Sequence, residues 1–318
     1  MVTRVSTLGQ QNVLLDTVLR NEKRVFDRQE QVSSGNRSPN YRGIARDVGT
    51  LSAAKNVETR TQGYLDNNRD LNRRIEIYDA TLQGLQEVAS TLRQDLIAAI
   101  NTNSGLALRN KIDDLYDTAV SLFNTRDSNG RFVFSGSRID QQTVTATTTN
   151  ALAALGSGNH AQAFANNTVK AQAQISDARS LTVGVLGTEV GTELMDIFSR
   201  LALFDNGTTD GGFPPAGAFA NPLNDNQKNF LISVLDESTE AFNKLNEAVA
   251  VNGVNLKSLE DVQELHQKDI TFIKIFIADI QDVNAAEAVS QLNLDNLALE
   301  SSFRVFSQLT RLSLIDFV

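Results

Sequence analysis

From Val254 to Val318 the chain runs 65 residues without a glycine or a proline. A stretch with no backbone punctuation of that length reads as helix, and fully helical it would be roughly 100 Å long at 1.5 Å per residue. Leu256, Leu259, His266, Ile270, Ile273, Ile277 and Ile280 repeat at coiled-coil spacing along its first half. Leu292, Leu299, Phe303 and Phe306 follow at intervals of seven, four and three. Val305, Leu309, Leu312 and Ile315 widen that apolar face towards Val318. Asn284 with Glu287 three residues on resembles an N-cap with its reciprocal acid. An average globular domain does not use such an element, and a chain end this apolar is expected to pack on something.

The first candidate partner is the other end of the chain. Thr7 to Ser33 reads as a helix with Val5, Leu8, Leu15, Leu19 and Phe26 on one seam and Leu14, Val18, Val25 and Val32 on a second. Two adjacent seams suit a helix with two neighbours. Residues 1–40 carry six Lys/Arg against four Asp/Glu, and 281–318 carry two against five, so charge favours the two ends lying together. A two-helix hairpin leaves much apolar surface wet, so the remaining seams are expected to be buried between copies. The candidate assembly residues are Val5, Leu8, Leu15, Leu19, Phe26, Leu292, Leu299, Phe303, Phe306, Leu309, Leu312 and Phe317. Isolated helices are marginal, so both ends are expected to be largely disordered in the free monomer and to order on assembly.

Between the ends, Gly35 is a left-handed cap candidate closing the first helix. Tyr64, Leu71, Ile75, Tyr78, Leu82, Leu85, Ala89, Leu92, Leu96 and Ala99 sustain a heptad seam, with Gly84 weakening it by about 1 kcal/mol. Asn101 to Gly105 breaks the helix, and Leu108, Ile112, Leu115, Ala119 and Leu122 resume it to about Arg126. A turn at Ser128–Gly130 leads into the β-prone run Arg131–Ser135. From Ser137 to Asn224 composition shifts to Thr, Ala, Asn, Ser and Gly. Thr143–Thr148, Val169–Ile175 and Leu181–Val185 read as strands, and Thr192–Phe204 as a helix with Leu194, Ile197, Phe198 and Leu201 facing in. Helix returns at Asp225, with a seam of Leu231, Leu235, Phe242, Leu245 and Val249 up to Val251-Asn252-Gly253.

The expected fold is mainly α with a small inserted β-rich domain: an elongated rod of long coiled-coil-like helices formed by the N- and C-terminal segments. Its divisions are 1–40 with 280–318 as terminal assembly segments, 41–136 with 225–279 as the helical rod, and 137–224 as the insertion.

Chemistry is scarce in this composition. A net charge of −9 and a pI of 4.9 argue against a nucleic-acid binder. No run of about 18 apolar residues exists to insert in a membrane, and charges scattered through the first thirty residues leave no secretory signal peptide to expect. Zero cysteines exclude disulfides and thiolate sites. His266 sits on a seam and reads as a packed core histidine; His160 is assigned no role. Asp113-Asp114 and Glu260-Asp261 are sequence neighbours on helices and point apart, which suits solvated faces and not an acid/base pair. No phosphate-binding glycine fingerprint is present. No catalytic residue, cofactor or metal site is expected.

Met1–Thr7 (MVTRVST), Gln29–Arg37 (QEQVSSGNR), Asn129–Gly136 (NGRFVFSG) and Ser302–Phe317 (SFRVFSQLTRLSLIDF) together resemble the flagellin superfamily, and within it the members at the hook–filament junction. The likeness covers about 1–136 and 225–318; at Ser38–Gly43 the chain departs from the paired acidic residues usual near the proline. It implies an extracellular structural protein of the bacterial flagellum, passed unfolded through the type III export channel and stacked through its terminal helices. Implied partners are other copies of itself, the first hook-associated protein and flagellin, and an export chaperone on the C-terminal segment. Three readings stand at this point: a junction protein, a short filament flagellin, and a cytoplasmic coiled-coil adaptor or enzyme subunit.

Overall fold

The computed structural model describes residues 2–38, 40–156, 158, 160–208, 213–214 and 217–315, with side chains at the two ends described for Gly9, 12–34 and 285–308. Among the described residues, seven α-helices and one two-stranded sheet carry the regular structure. In chain order these are α1 (Val2–Ser34), α2 (Val48–Thr102), α3 (Leu108–Phe123), α4 (Thr149–Ala153), β1 (Ala171–Ser176), β2 (Arg179–Val183), α5 (Gly187–Asp205), α6 (Asp225–Gln281) and α7 (Ala285–Ile315). The fold is mainly α with a small β insertion. The chain divides into two units, residues 1–62 with 268–318 and residues 63–267, and α2 and α6 contribute to both.

The second unit holds one continuous apolar core. The expected α2 seam lines it: Ile75, Tyr78, Leu82, Leu85, Ala89, Leu92, Leu96 and Ala99 are all buried. Ile112, Tyr116, Ala119 and Phe123 face it from α3, Leu194, Ile197, Phe198 and Leu201 from α5, and Phe230, Leu231, Val234 and Leu245 from α6. Gly84 lets α3 come close: a Cβ there would stand 3.0 Å from Leu122 Cδ2. Phe123 sits edge-on to Phe134 and Phe164 at 5.8 and 5.3 Å, and Phe204 stacks on Phe230 at 3.8 Å. The Tyr116 hydroxyl donates to Ala146 O at 2.5 Å and that of Tyr78 to Val133 O. Burial pushes both phenols up from their ordinary range.

The insertion has fewer strands than its sequence suggests. Among the described residues only β1 and β2 pair, antiparallel, with a register shift between Gln174 and Ser176. Thr143–Thr148 contributes a single bridge, Val144 to Phe164, and Arg131–Ser135 a single bridge from Phe132 to Arg126. Phe132–Ser135, Thr143, Val144 and Ala146 are buried, but both runs are irregular, because their backbone groups bond outside any sheet: Phe132 N to Ile139 O, Val133 N to Thr125 O, and Thr145 N to Ala163 O.

His266 is a packed histidine, as expected. It is buried, stacks on Tyr64 at 5.8 Å, and contacts Ile175 O through Nε2 at 2.8 Å. A carbonyl only accepts, so Nε2 carries the proton. His160, assigned no role from sequence, is buried, with Nδ1 2.6 Å from Asp196 Oδ1. Among the described residues no group of three or more His, Cys, Asp or Glu could hold a metal, and no helix is long and apolar enough to cross a membrane.

Two helix boundaries differ from the sequence reading. α6 continues straight through Gly253, held there by Asn252, whose buried amide donates to Ile75 O and Asp79 Oδ1 at 3.2 and 3.3 Å. The 65-residue helix instead breaks at Asp282–Asn284, where no glycine or proline marks it. Nonlocal backbone pairing makes that break. Arg37 N donates to Gln281 O at 2.8 Å, Val283 N to Gly35 O at 2.9 Å, and Asn36 bridges Asp282. Gly35 supplies the turn at φ +73°, its N–H returning to Gln31 O as a helix-ending cap. Asn284 caps α7 as expected, accepting from Glu287 N at 3.3 Å; the Glu287 carboxylate turns to Gln291 at 3.1 Å.

Candidate assembly surface

The first unit is built on the pairing of α1 with α7. Asn21 meets Ser302 and Arg28 meets Asp295, so the helices run antiparallel. Both are helical, and each has the other as one neighbour. The α1 seam turned to α7 is the second of the two read from sequence. Val18 and Val25 are buried and Leu14 half-buried, with Asn21 buried among them. On α7, Ala288 is buried and Leu292, Asp295, Leu299, Ser302 and Phe306 are half-buried at alternating spacings of four and three.

The other α1 seam is left open. Leu15 and Leu19 are exposed, and Phe26 keeps 65% of its surface accessible. On α7, Phe303 and Val289 are exposed in the same way. These five residues each lie one position past a seam residue: 14, 18 and 25 on α1, 288 and 302 on α7. In an antiparallel pair the same offset lands on the same side of both helices, because a local two-fold axis perpendicular to the pair relates them. Leu15, Leu19, Phe26, Val289 and Phe303 therefore form one joint apolar face. Leu294 and Val305, exposed and one position before a seam residue, lie on the opposite side with Val13. Leu297, 61% exposed, points away from α1 altogether. Apolar side chains thus stand exposed on more than one side of the pair, between charged and polar ones, and exposed apolar side chains on a shared face make it a candidate interaction surface.

The candidate residues thus fall into three groups. Leu292, Leu299 and Phe306 line the seam within the pair. Leu15, Leu19, Phe26 and Phe303 face outward. Val5, Leu8, Leu309 and Leu312 lie in the helices, but their side chains fall outside those described, and Phe317 lies outside the described residues. Sequence periodicity missed the polar members of the seam, Asn21, Arg24, Arg28, Asp295 and Ser302, because only apolar residues were counted at heptad positions. It also missed an exposed patch near the end of α6. Phe272, 72% exposed, Ile275 and Phe276 line a shallow depression of about 470 Å³ with Arg37, Asp279 and Val283. The signal was available: Phe272 and Phe276 sit between the Ile270–Ile273–Ile277 seam positions.

No family model matches this sequence, and no curated protein does. Solved structures do match. One is a flagellar hook-associated protein from Vibrio parahaemolyticus, 15% identical, covering 72% of this chain and 95% of that chain at a TM-score of 0.57. Flagellar hook-associated protein 3 from Legionella pneumophila is 10% identical, with 73% and 98% covered and a TM-score of 0.56. Xanthomonas campestris FlgL is 12% identical, with 72% and 99% covered and a TM-score of 0.52. The chain therefore has the fold of the flagellar hook-associated proteins. More narrowly, it has the fold of the third of them, FlgL.

Proposed function

We propose that this chain is a structural protein of the bacterial flagellum that joins hook to filament and performs no catalysis. The observation that carries the reading is the α1–α7 pair, closed on one seam and apolar on its outer faces, in a chain with the hook-associated protein 3 fold. Residues 1–40 and 280–318 are the assembly segments. They polymerise with copies of this chain through Leu15, Leu19, Phe26 and Phe303, extended by Val5, Leu8, Leu309, Leu312 and Phe317, and stack against the first hook-associated protein and flagellin. The remaining helices and the 137–224 insertion serve as spacer. Placement is extracellular, reached by flagellar export with a chaperone on residues 284–318, where an apolar helix is a suitable target for a groove-type receptor.

The test is assembly by a charged variant. Phe26→Asp with Phe303→Asp places two carboxylates on the joint face and is expected to leave the monomer folded while abolishing filament growth from the hook. Normal motility and normal incorporation in that strain would overturn the reading. Removal of residues 284–318 is expected to abolish chaperone capture; unchanged capture would remove the chaperone from the scheme. Long filaments grown from this chain alone would make it a filament flagellin instead.

A further inference from the structure

We propose that Asn129, in the turn ahead of Phe132, is a site of slow self-modification: it converts to aspartate and isoaspartate, while the fold holds the other Asn–Gly steps of the chain inert. Its reactivity does not depend on the function proposed above.

The chemistry needs only the chain, hydroxide and water. Once hydroxide has removed its proton, the backbone nitrogen after an asparagine attacks the asparagine Cγ. A new N–Cγ bond closes a succinimide ring, the Cγ–Nδ2 bond breaks, and the side-chain nitrogen leaves as ammonia. Water then opens the ring. Cleavage of the Cγ–N bond restores the main chain and leaves aspartate. Cleavage at the main-chain carbonyl routes the chain through Cβ and Cγ, which adds one backbone atom and makes isoaspartate. Glycine is the most permissive follower, because it has no Cβ to hinder the approach and its backbone turns freely.

Asparagine is followed by glycine at 129–130, 206–207 and 252–253. Asn252 is buried in the middle of α6 with its amide bound to Ile75 O and Asp79 Oδ1, so a succinimide there requires α6 to open within the core. Asn206 follows α5 and is exposed, but its amide is held from both sides. Its Nδ2 donates to Asn150 Oδ1 at 3.1 Å, and its Oδ1 accepts from Arg109 at 3.5 Å. Arg109 is itself fixed by Asp113, Asp205 and Thr149. Asn129 has no such restraint. Ser128, Asn129 and Gly130 are all exposed, and among the described residues the Asn129 side chain has no hydrogen-bond partner. The attacking nitrogen is held by one turn bond, Gly130 N to Asp127 O at 2.9 Å. An exposed turn opens at far lower cost than a core helix.

The turn is also where an extra backbone atom does harm. Asn129 N and Arg131 N both donate to Asp127 Oδ1, at 2.8 and 3.0 Å, and Asp127 N donates to Arg131 O at 2.8 Å. Behind them the Arg126 guanidinium lies 4.2 Å over the Phe132 ring, and Phe132–Ser135 are buried. Aspartate fits this loop. Isoaspartate lengthens the chain between the two donors, so they no longer converge on one oxygen.

The experiment ages the full-length chain in mildly alkaline buffer. Peptide mapping by mass spectrometry reads amide-to-acid conversion at each site, and isoaspartyl methyltransferase labelling counts the isoaspartate. Conversion is expected to be fastest at Asn129, about tenfold slower at Asn206, whose contact to a charged group must break first, and absent at Asn252 over the same period. In denaturant the three sites are expected to convert at closely similar rates. No conversion at Asn129 in the folded chain, or conversion at Asn206 or Asn252 as fast as there, overturns the proposal. The same order persisting in denaturant also overturns it, because selection would then belong to the local sequence and not to the fold. Asn129→Gln, at an exposed position and with a side chain too long for the same ring, is expected to fold as the parent and to lose the isoaspartate signal from that peptide; a retained signal overturns the site. After ageing, the parent is expected to show a fraction melting below the Asn129→Gln chain, and identical melting would overturn the effect on the turn.

Discussion

The two units use the same local device, the heptad seam, to opposite ends. In residues 63–267 the α2 seam from Ile75 to Ala99 is surrounded by α3, α5, α6 and the insertion, and its side chains are buried. In the other unit, α1 and α7 each bury one seam and leave a second in solvent. Periodicity is equally strong in both. What differs is the number of neighbours the chain itself supplies. A seam with all its neighbours in the same chain stabilises that chain, whereas one with too few requires a partner to complete it. Opening should follow the same division, with the buried α2 segment opening near the global free energy and α1 well below it.

The comparison is tested most severely by emptying the buried side. Phe198 is fully buried in α5 and meets Tyr116 edge-on at 5.4 Å. Phe198→Ala is expected to cost about 3–5 kcal/mol. A denaturant titration reads this as a lower midpoint, and a loss under about 1 kcal/mol would mean that the core is less tightly filled than these contacts require. The converse change overfills it. Gly191 is on the same helix, and a Cβ there would stand 2.4 Å from Phe164 Cζ and 2.6 Å from Phe123 Cζ. Both rings are held in the aromatic cluster, so Gly191→Ala is expected to lose about 1–3 kcal/mol despite alanine's better helix propensity. A gain in melting temperature would show that the cluster can yield.

The long seams of α2, α3 and α5, the Gly35 stop and the Asn284 cap were legible in sequence because each rests on neighbours within a few residues. What was not legible depends on residues far away in the chain. Nothing local distinguishes Asp282–Asn284 from the helix on either side; Arg37 and Gly35, more than two hundred residues earlier, make the break. Gly253 looked like a stop and is not one, because the adjacent Asn252 is tied to Ile75 and Asp79. The runs 131–135 and 143–148 have strand composition but bond outside any sheet, so each makes a single bridge and no strand. At the assembly surface, counting apolar residues identified two seams on α1 but could not say which one α7 would take. The polar pair Asn21 and Arg28 marks that seam, since its spacing of seven is repeated by Asp295 and Ser302.

High pH probes the buried unit without any substitution. The Tyr78 and Tyr116 phenols are raised above the ordinary value of 10.0 by burial. A phenol held neutral in the fold but free to ionise when unfolded contributes its full stability below the unfolded pKa, and that contribution shrinks as pH rises past it. Stability of the 63–267 core is therefore expected to be flat with respect to these two groups up to about pH 10 and to fall above it. Phenolate absorbance for the two should appear together with the loss of helix signal. Ionisation of both while the core stays folded would contradict their enclosure.

The smallest effect on the monomer is expected on the joint face. Phe26→Ser removes a ring of the same size as that of Phe198, but the ring stands 65% exposed, on the same side of the pair as Leu19 and Phe303. Surface changes away from caps, turns and buried groups shift stability by about ±0.5 kcal/mol. The isolated chain should therefore melt as before, while its self-association weakens, because the apolar area that a sister copy would cover has been removed. The two phenylalanines then separate the two roles of one sequence pattern: loss at Phe198 falls on the fold, and loss at Phe26 falls on the contact between copies. If Phe26→Ser instead lowered monomer stability by about 2 kcal/mol or more, the ring would be packed within its own chain in solution. The joint face would then belong to the fold, and the division between the two units would have to be redrawn.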